Sequence, residues 1–211
     1  MVALVLFAAL AFFVVGQAGA VRNGTQSAAD AAALAAAQES RDRVGDDLWT
    51  LPLDPDLLRR IFEGDFTGPS GAACDAAAAL AERNKATIER CGALGDGRWG
   101  FFVQALSANP VGDTVVPGTG SARARQSATA VVESRCTFDP APAPSPSPEP
   151  PEGPGDPSAS PPPGDGEEPP EPPPIGELHC DDGDFTLDPE RPDDFPAMSD
   201  LFTVRLAEDR P

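Results

Sequence analysis

The sequence predicts an α+β protein. An N-terminal transmembrane helix continues as an Ala-rich stalk, two helices lie on an antiparallel sheet, and a strand returns to that sheet beyond a Pro-rich disordered insert. Three observations carry this reading. Residues 2 to 44 hold no Pro, and they pass from an almost wholly apolar half into an Ala-rich half with a polar outside. Residues 54 to 90 keep apolar residues at helical spacing, whereas residues 98 to 135 alternate with period two. Residues 139 to 175 hold 17 Pro, and alternation resumes beyond them. The expected segments are 1–21 (transmembrane helix), 22–44 (helical stalk), 45–138 (small extracytoplasmic α+β domain), 139–175 (disordered linker) and 176–211 (acidic tail with the returning strand).

Val2 to Val15 is the apolar half, and small residues with a single polar one, Gln17, follow as far as Val21. At ~1.5 Å per residue, twenty helical residues span ~30 Å, the thickness of a bilayer's hydrocarbon core. Arg22 and Asn23 mark the water boundary. Ala is the strongest helix former, so Ser27 to Gln38 carries the same helix onward as a stalk. No Lys or Arg precedes Arg22, so the positive-inside rule gives no orientation. A cleaved signal peptide competes for the same residues, because Ala18-Gly19-Ala20 fits the small-x-small cleavage pattern. The long apolar run without a basic segment before it favours the uncleaved anchor. Either reading places the rest of the chain outside the cytoplasm.

Gly45 to Leu53 reads as a turn region. Asp54-Pro55 then opens a short helix, with Asp as N-cap and Pro at the first helical position, and Gly64 ends it. Leu57, Leu58, Ile61 and Phe62 form its apolar stripe. Ser70 is the expected N-cap of a second helix reaching about Arg90, with Ala73, Ala76, Ala77, Leu80 and Ile88 facing inward. Cys91 to Leu94 reads as a short strand and Arg98 to Ser107 as the main one, with Trp99, Phe101, Val103 and Ala105 on one face. Ala122 to Arg135 alternates too, and small Ala on its inner face lets a helix pack close. Leu201 to Leu206 supplies a fourth strand, with Phe202, Val204 and Leu206 on one side. The Pro-rich segment between cannot bury enough apolar surface to offset its ordering entropy, so it reads as an extended spacer.

The N-terminal stretch carries a resemblance. Arg22, Asn23, Gln26 and the run Ala28-Ala29-Asp30-Ala31-Ala32-Ala33-Leu34-Ala35-Ala36-Ala37, placed after an apolar segment, resemble the start of TadE/TadG-like proteins of the tight-adherence (Flp) pilus-assembly group. Gly97-Arg98-Trp99-Gly100-Phe101, Val115-Val116-Pro117-Gly118-Thr119 and Asp200-Leu201-Phe202-Thr203-Val204-Arg205-Leu206 resemble the actinobacterial branch. The resemblance implies a non-enzymatic bacterial protein, anchored once in the cell membrane with the bulk of the chain outside, acting in a pilus or envelope secretion complex. It implies other membrane or pilus-assembly proteins as partners through the N-terminal helix. Gln26, Ala28, Ala29, Asp30, Ala32 and Ala36 are the candidate assembly contacts, since Ala permits a partner helix to approach closely. Asp30 reads equally as a solvated helix position. The alternative is an anchored or secreted binding module for an envelope ligand.

The formal net charge of -19 is unevenly placed: residues 1 to 138 hold 15 acidic and 12 basic side chains, residues 139 to 211 hold 19 and 3. Such a tail repels nucleic acid and anionic headgroups, which argues against a nucleic-acid partner. No constellation points to catalysis, a cofactor, a metal or a small-molecule substrate. The only His, His179, lies in an acidic stretch read as a loop. Arg123 and Arg125 on one strand face are too few for a phosphate stripe.

Cys74, Cys91, Cys136 and Cys180 are even in number and lack C-x-x-C spacing, which favours disulfides in an exported domain. If one helix runs to Arg90, Cys74 and Cys91 stand ~25 Å apart, far beyond the ~7 Å that a disulfide spans. That excludes Cys74–Cys91 unless the helix breaks. The expected pairs are Cys91–Cys136 and Cys74–Cys180.

Overall fold

The structure is a computed structural model that describes residues 2–48, 54–110, 121–142, 173–191 and 194–207. Its fold is mixed α+β, with helices packed on an antiparallel sheet. Helix α1 runs unbroken over Val2–Leu48. It is followed by α2 (Pro55–Glu63), α3 (Gly71–Arg83), and the strands β1 (Ala86–Ala93), β2 (Gly100–Ser107) and β3 (Arg125–Ser134). Then come β4 (Cys136–Pro140), β5 (Gly176–Cys180), β6 (Gly183–Leu187), the single turn α4 (Met198–Leu201) and β7 (Phe202–Ala207).

The main sheet has the order β1-β2-β3-β7, antiparallel throughout. The tail does return as a fourth strand: Phe202 pairs with Ser134 and Leu206 with Ala130. Of its apolar residues only Phe202 is fully buried; Val204 is half-buried and Leu206 is 42% exposed. Trp99, Phe101, Val103 and Ala105 are all buried on the inner face, as the period-two pattern requires. Helix α1 lies across that face with α3 beside it.

Helix α2 follows its sequence signals. Asp54 caps it, accepting a hydrogen bond from the Asp56 backbone N–H at 2.9 Å, and Gly64 ends it in the left-handed conformation at φ 79°. Leu58, Ile61 and Phe62 are buried. Phe62 then links the layers, with ring centroids 5.0 Å from Phe202 and 6.3 Å from Phe138 of β4. Trp99 extends the cluster, 5.3 Å from Phe202 and 5.2 Å from Phe66.

Three expectations are corrected. First, residues 22–44 are no free-standing stalk. From Thr25 onward α1 is the central helix of the core, and Ala28, Ala29, Ala32, Ala33, Ala36 and Ala37 are 0% exposed. The helix also passes through Gly45 as far as Leu48; residues 49–53 lie outside the described residues.

Second, α3 stops at Arg83. The Asn84 side chain donates to the Leu80 carbonyl at 2.8 Å, Lys85 takes φ 57°, and β1 begins at Ala86. About fourteen ångströms of helix down from Cys74 are thus followed by a strand running back up, at ~1.5 and ~3.3 Å per residue. Cys74 and Cys91 meet with Cα atoms 5.8 Å apart and form a disulfide. The second disulfide joins Cys136 to Cys180, so both expected pairings were wrong.

Third, a separate three-stranded sheet, β4-β5-β6, is present where no strand was expected, and the His179 stretch read as a loop is its middle strand. Cys136 faces Cys180 in register, and His179 lies on β5 opposite Thr137 and Asp184. The Pro-rich insert leaves from the end of β4 and re-enters at β5, where the Ala141 N–H donates to the Ile175 carbonyl at 2.8 Å. The expected disorder of the insert falls mostly on residues 143–172, outside the described residues.

Among the described residues no helix is long and apolar enough to cross a membrane, so the transmembrane reading of residues 1–21 takes no support from the fold. The side chains of Leu10, Ala11, Phe13, Val14, Val15, Gln17 and Ala18 lie outside the described residues.

Candidate assembly interface on the N-terminal helix

Helix α1 has two parts with opposite surroundings. Every described side chain from Val2 to Gly24 is exposed except the half-buried Val21. Val2, Leu4, Val5, Leu6, Phe7 and Phe12 are 65–85% exposed, an uncommon state for so many large apolar groups in one run. Burial begins at Thr25, 3% exposed, whose hydroxyl donates to the Val21 carbonyl at 2.8 Å. From there the Ala stripe lies against β2, β3 and α3.

The candidate contact residues therefore divide. Ala28, Ala29, Ala32 and Ala36 are buried inside this chain and are unavailable to a partner helix. The neighbour of this Ala face is the chain's own sheet and α3 and not a partner helix. Gln26 and Asp30, one turn apart and half-buried, form a clamp. The Gln26 side-chain amide donates to Asp30 Oδ1 at 2.8 Å and to the Ser127 carbonyl of β3 at 3.1 Å. Asp30 thus orients a side chain that ties the helix to the sheet.

Deeper in, Ser40 is 0% exposed and its Oγ accepts from Trp99 Nε1 at 3.1 Å. Gly68 closes over this pair, and a Cβ at that position would overlap both atoms. Nothing in the local sequence linked Ser40 to Trp99, since 59 residues separate them. The one available signal was a Ser in an otherwise apolar helical stripe facing a strand with a single Trp.

Elsewhere the polar chemistry consists of surface pairs. Glu89 is held by Arg125 and Glu133 by Arg205, and each arginine's hydrogen bonds lower the carboxyl's pKa. His179 Nδ1 lies 2.9 Å from Asp184 Oδ1 and its Nε2 3.4 Å from Asp139 Oδ2. The hydrogen bond to Asp184 raises the imidazole's pKa. Among the described residues no group of three or more His, Cys, Asp or Glu side chains is arranged to hold a metal. A shallow cleft of about 450 Å³ lies between the end of α1, at Arg41, Asp42 and Asp46, and the segment Phe195 to Ser199.

The part of α1 that projects and the part that organises the core are one continuous element, and the comparisons with known proteins fall on it. Residues 1–39 match the family model of the putative Flp pilus-assembly TadE/G-like proteins. The TadE/G-like match thus spans the exposed apolar run, the Gln26–Asp30 clamp and the buried Ala stripe, and ends one residue before Ser40. It is a family of pilus assembly, not of catalysis. No curated protein and no solved structure matches the chain.

Proposed function

We propose that this chain is a single-pass protein of the bacterial cell membrane with a structural or assembly role in a Flp-type pilus or envelope secretion complex. The observation that carries the reading is the exposed apolar run of α1, continuous with the TadE/G-like segment. Large apolar side chains this exposed lose free energy in water and gain it in lipid or against partner helices, each Leu, Val or Phe contributing ~1.5–3 kcal/mol when buried. Partners meet the chain through residues 2–21, and the Ala face is reserved for the chain's own core. Residues 45–211 lie outside the cytoplasm, where both disulfides persist.

Membrane fractionation followed by N-terminal sequencing of the mature protein tests this. The expected result is an intact apolar run in the membrane fraction. A soluble product beginning at Val21 would replace the anchor with a cleaved signal peptide. The folded part begins at Thr25, so the core survives either outcome and the experiment reads topology alone.

A further inference from the structure

We propose that the end of the domain from which the apolar helix emerges is a cationic collar that docks on anionic phospholipid headgroups. The inference rests on the membrane reading above and adds how the domain sits on the bilayer. A small recess of about 160 Å³ brings Val21 and Thr25 of α1 together with Lys85, Ser107 and Asn109. Lys85, the chain's only Lys, occupies the α3–β1 reversal, and its carbonyl accepts from the Ala108 N–H at 2.8 Å. Arg83 precedes it by two residues. Arg123 adjoins Ala124, whose N–H donates to Ser107 Oγ at 3.0 Å. Arg22 follows Val21 directly.

The fold thus gathers Arg22, Arg83, Lys85 and Arg123 from three separate parts of the sequence around the point where α1 leaves the domain. All four are exposed, and none has an ion-pair partner among the described residues. Among the described residues Glu82 adjoins Arg83, Asp30 stands about two turns along α1 from Arg22 and is held by Gln26, and Glu89, farther along β1, is neutralised by Arg125. Asp113 lies outside the described residues.

The net charge of -19 suggests repulsion from an anionic surface, and distance decides otherwise. Asp42, Asp46 and Asp47 lie at the opposite end of α1, ~30–38 Å from Arg22 at ~1.5 Å per residue. Strand β3 likewise starts at the collar with Arg125 and ends at Ser134, ~30 Å along, before β4 leads to the acidic insert. With a screening length of about 8 Å at physiological salt, Asp42, Asp46 and Asp47 are about four screening lengths from the collar. A cation near an anionic leaflet shifts partition by about five-fold, so four together orient a domain already tethered by its helix.

The test uses the full chain in two kinds of vesicle: phosphatidylcholine alone, and the same lipid with about one phosphatidylglycerol in four. Flotation reports insertion, and hydrogen exchange across residues 82–87 and 105–109 reports contact. The chain is expected to float with both vesicles, with exchange in those two stretches slowed only in the anionic one. The slowing is lost at about 0.5 M salt, where screening shortens to about 4 Å. It is lost too in an Arg83→Gln, Lys85→Asn, Arg123→Gln variant, Asn being chosen because it tolerates the left-handed φ of Lys85. Asp42→Asn with Asp46→Asn, at the far end, leaves the slowing in place. A chain that floats with both vesicles and exchanges equally in them overturns the collar and leaves the anchor standing. A chain that floats with neither overturns the anchor reading. The salt arm needs no variant, so misfolding of the triple substitution does not protect the proposal.

Discussion

Ala32 and Ala36 show how one residue type carries opposite meanings in different surroundings. Both have no exposed surface, on a helix packed against the sheet and α3. Replacing either with Leu adds three heavy atoms where the packing leaves no room, so each substitution is expected to destabilise by ~1–3 kcal/mol. Chemical denaturation of the disulfide-intact protein measures this, and an unchanged midpoint would place the Ala face outside the core. His179 offers a second test at this scale. Its pairing with Asp184, aided by Asp139, raises the folded-state pKa above the ordinary value of 6.5. The pairing therefore contributes fully below that value and fades as pH rises through the folded pKa. A midpoint measured from pH 6 to pH 9 should fall slightly in the parent and stay flatter in His179→Gln. A parent curve that rises through this range contradicts the assignment.

At the scale of elements, the β4–β5 pair is a hairpin whose loop is the Pro-rich insert. Register runs from Cys136↔Cys180 to Pro140↔Gly176, with the disulfide at one end and the Ala141–Ile175 hydrogen bond at the other. Every contact of that pairing among the described residues lies outside residues 143–172. Replacing residues 143–172 with a short Gly-containing turn is expected to keep the fold and both disulfides, with a midpoint equal to or above the parent's. Shortening a loop lowers its closure entropy by only ~0.6 kcal/mol per halving, so a large change in either direction would show that the insert packs on the domain. The disulfides act on a larger scale. In the chain-entropy model, closing separations of 17 and 44 residues contributes roughly 3 and 4 kcal/mol.

For the whole molecule, α1 separates two environments at Thr25. Removing residues 1–20 keeps the Val21 carbonyl that Thr25 uses and every described side chain of the core. The shortened chain is expected to be monodisperse without detergent and to unfold at the parent's midpoint. Analytical ultracentrifugation with thermal unfolding checks both. Persistent aggregation would mean that the folded part has a second apolar surface requiring a partner.

Much of this was legible before the structure, and the boundary follows a physical line. Local stereochemistry wrote the Asp54–Pro55 start and Gly64 stop of α2, and period-two alternation wrote the inward face of β2 and the return of the tail. Those signals act over a few residues, and the residues are read in order. The sequence by itself also showed an Ala stripe over residues 28–37, and residues 1–39 match the TadE/G-like family model. Which surface the Ala stripe meets was a tertiary decision, because a helix face offers the same pattern to its own sheet as to a partner. The disulfide pairing was decided at Asn84–Lys85, where a reversal turned seventeen residues into a closed loop. The residues before the turn still permit helix, and Ala86–Ala93 becomes strand because β2 supplies the hydrogen bonds. The same holds for β4, β5 and β6, which are short and acidic and gain their order from pairing and a disulfide instead of intrinsic preference. Charge shows the division most plainly: composition sets the sum, and only folding gathers four cations at one end of the domain while Asp42, Asp46 and Asp47 stand at the far end of α1.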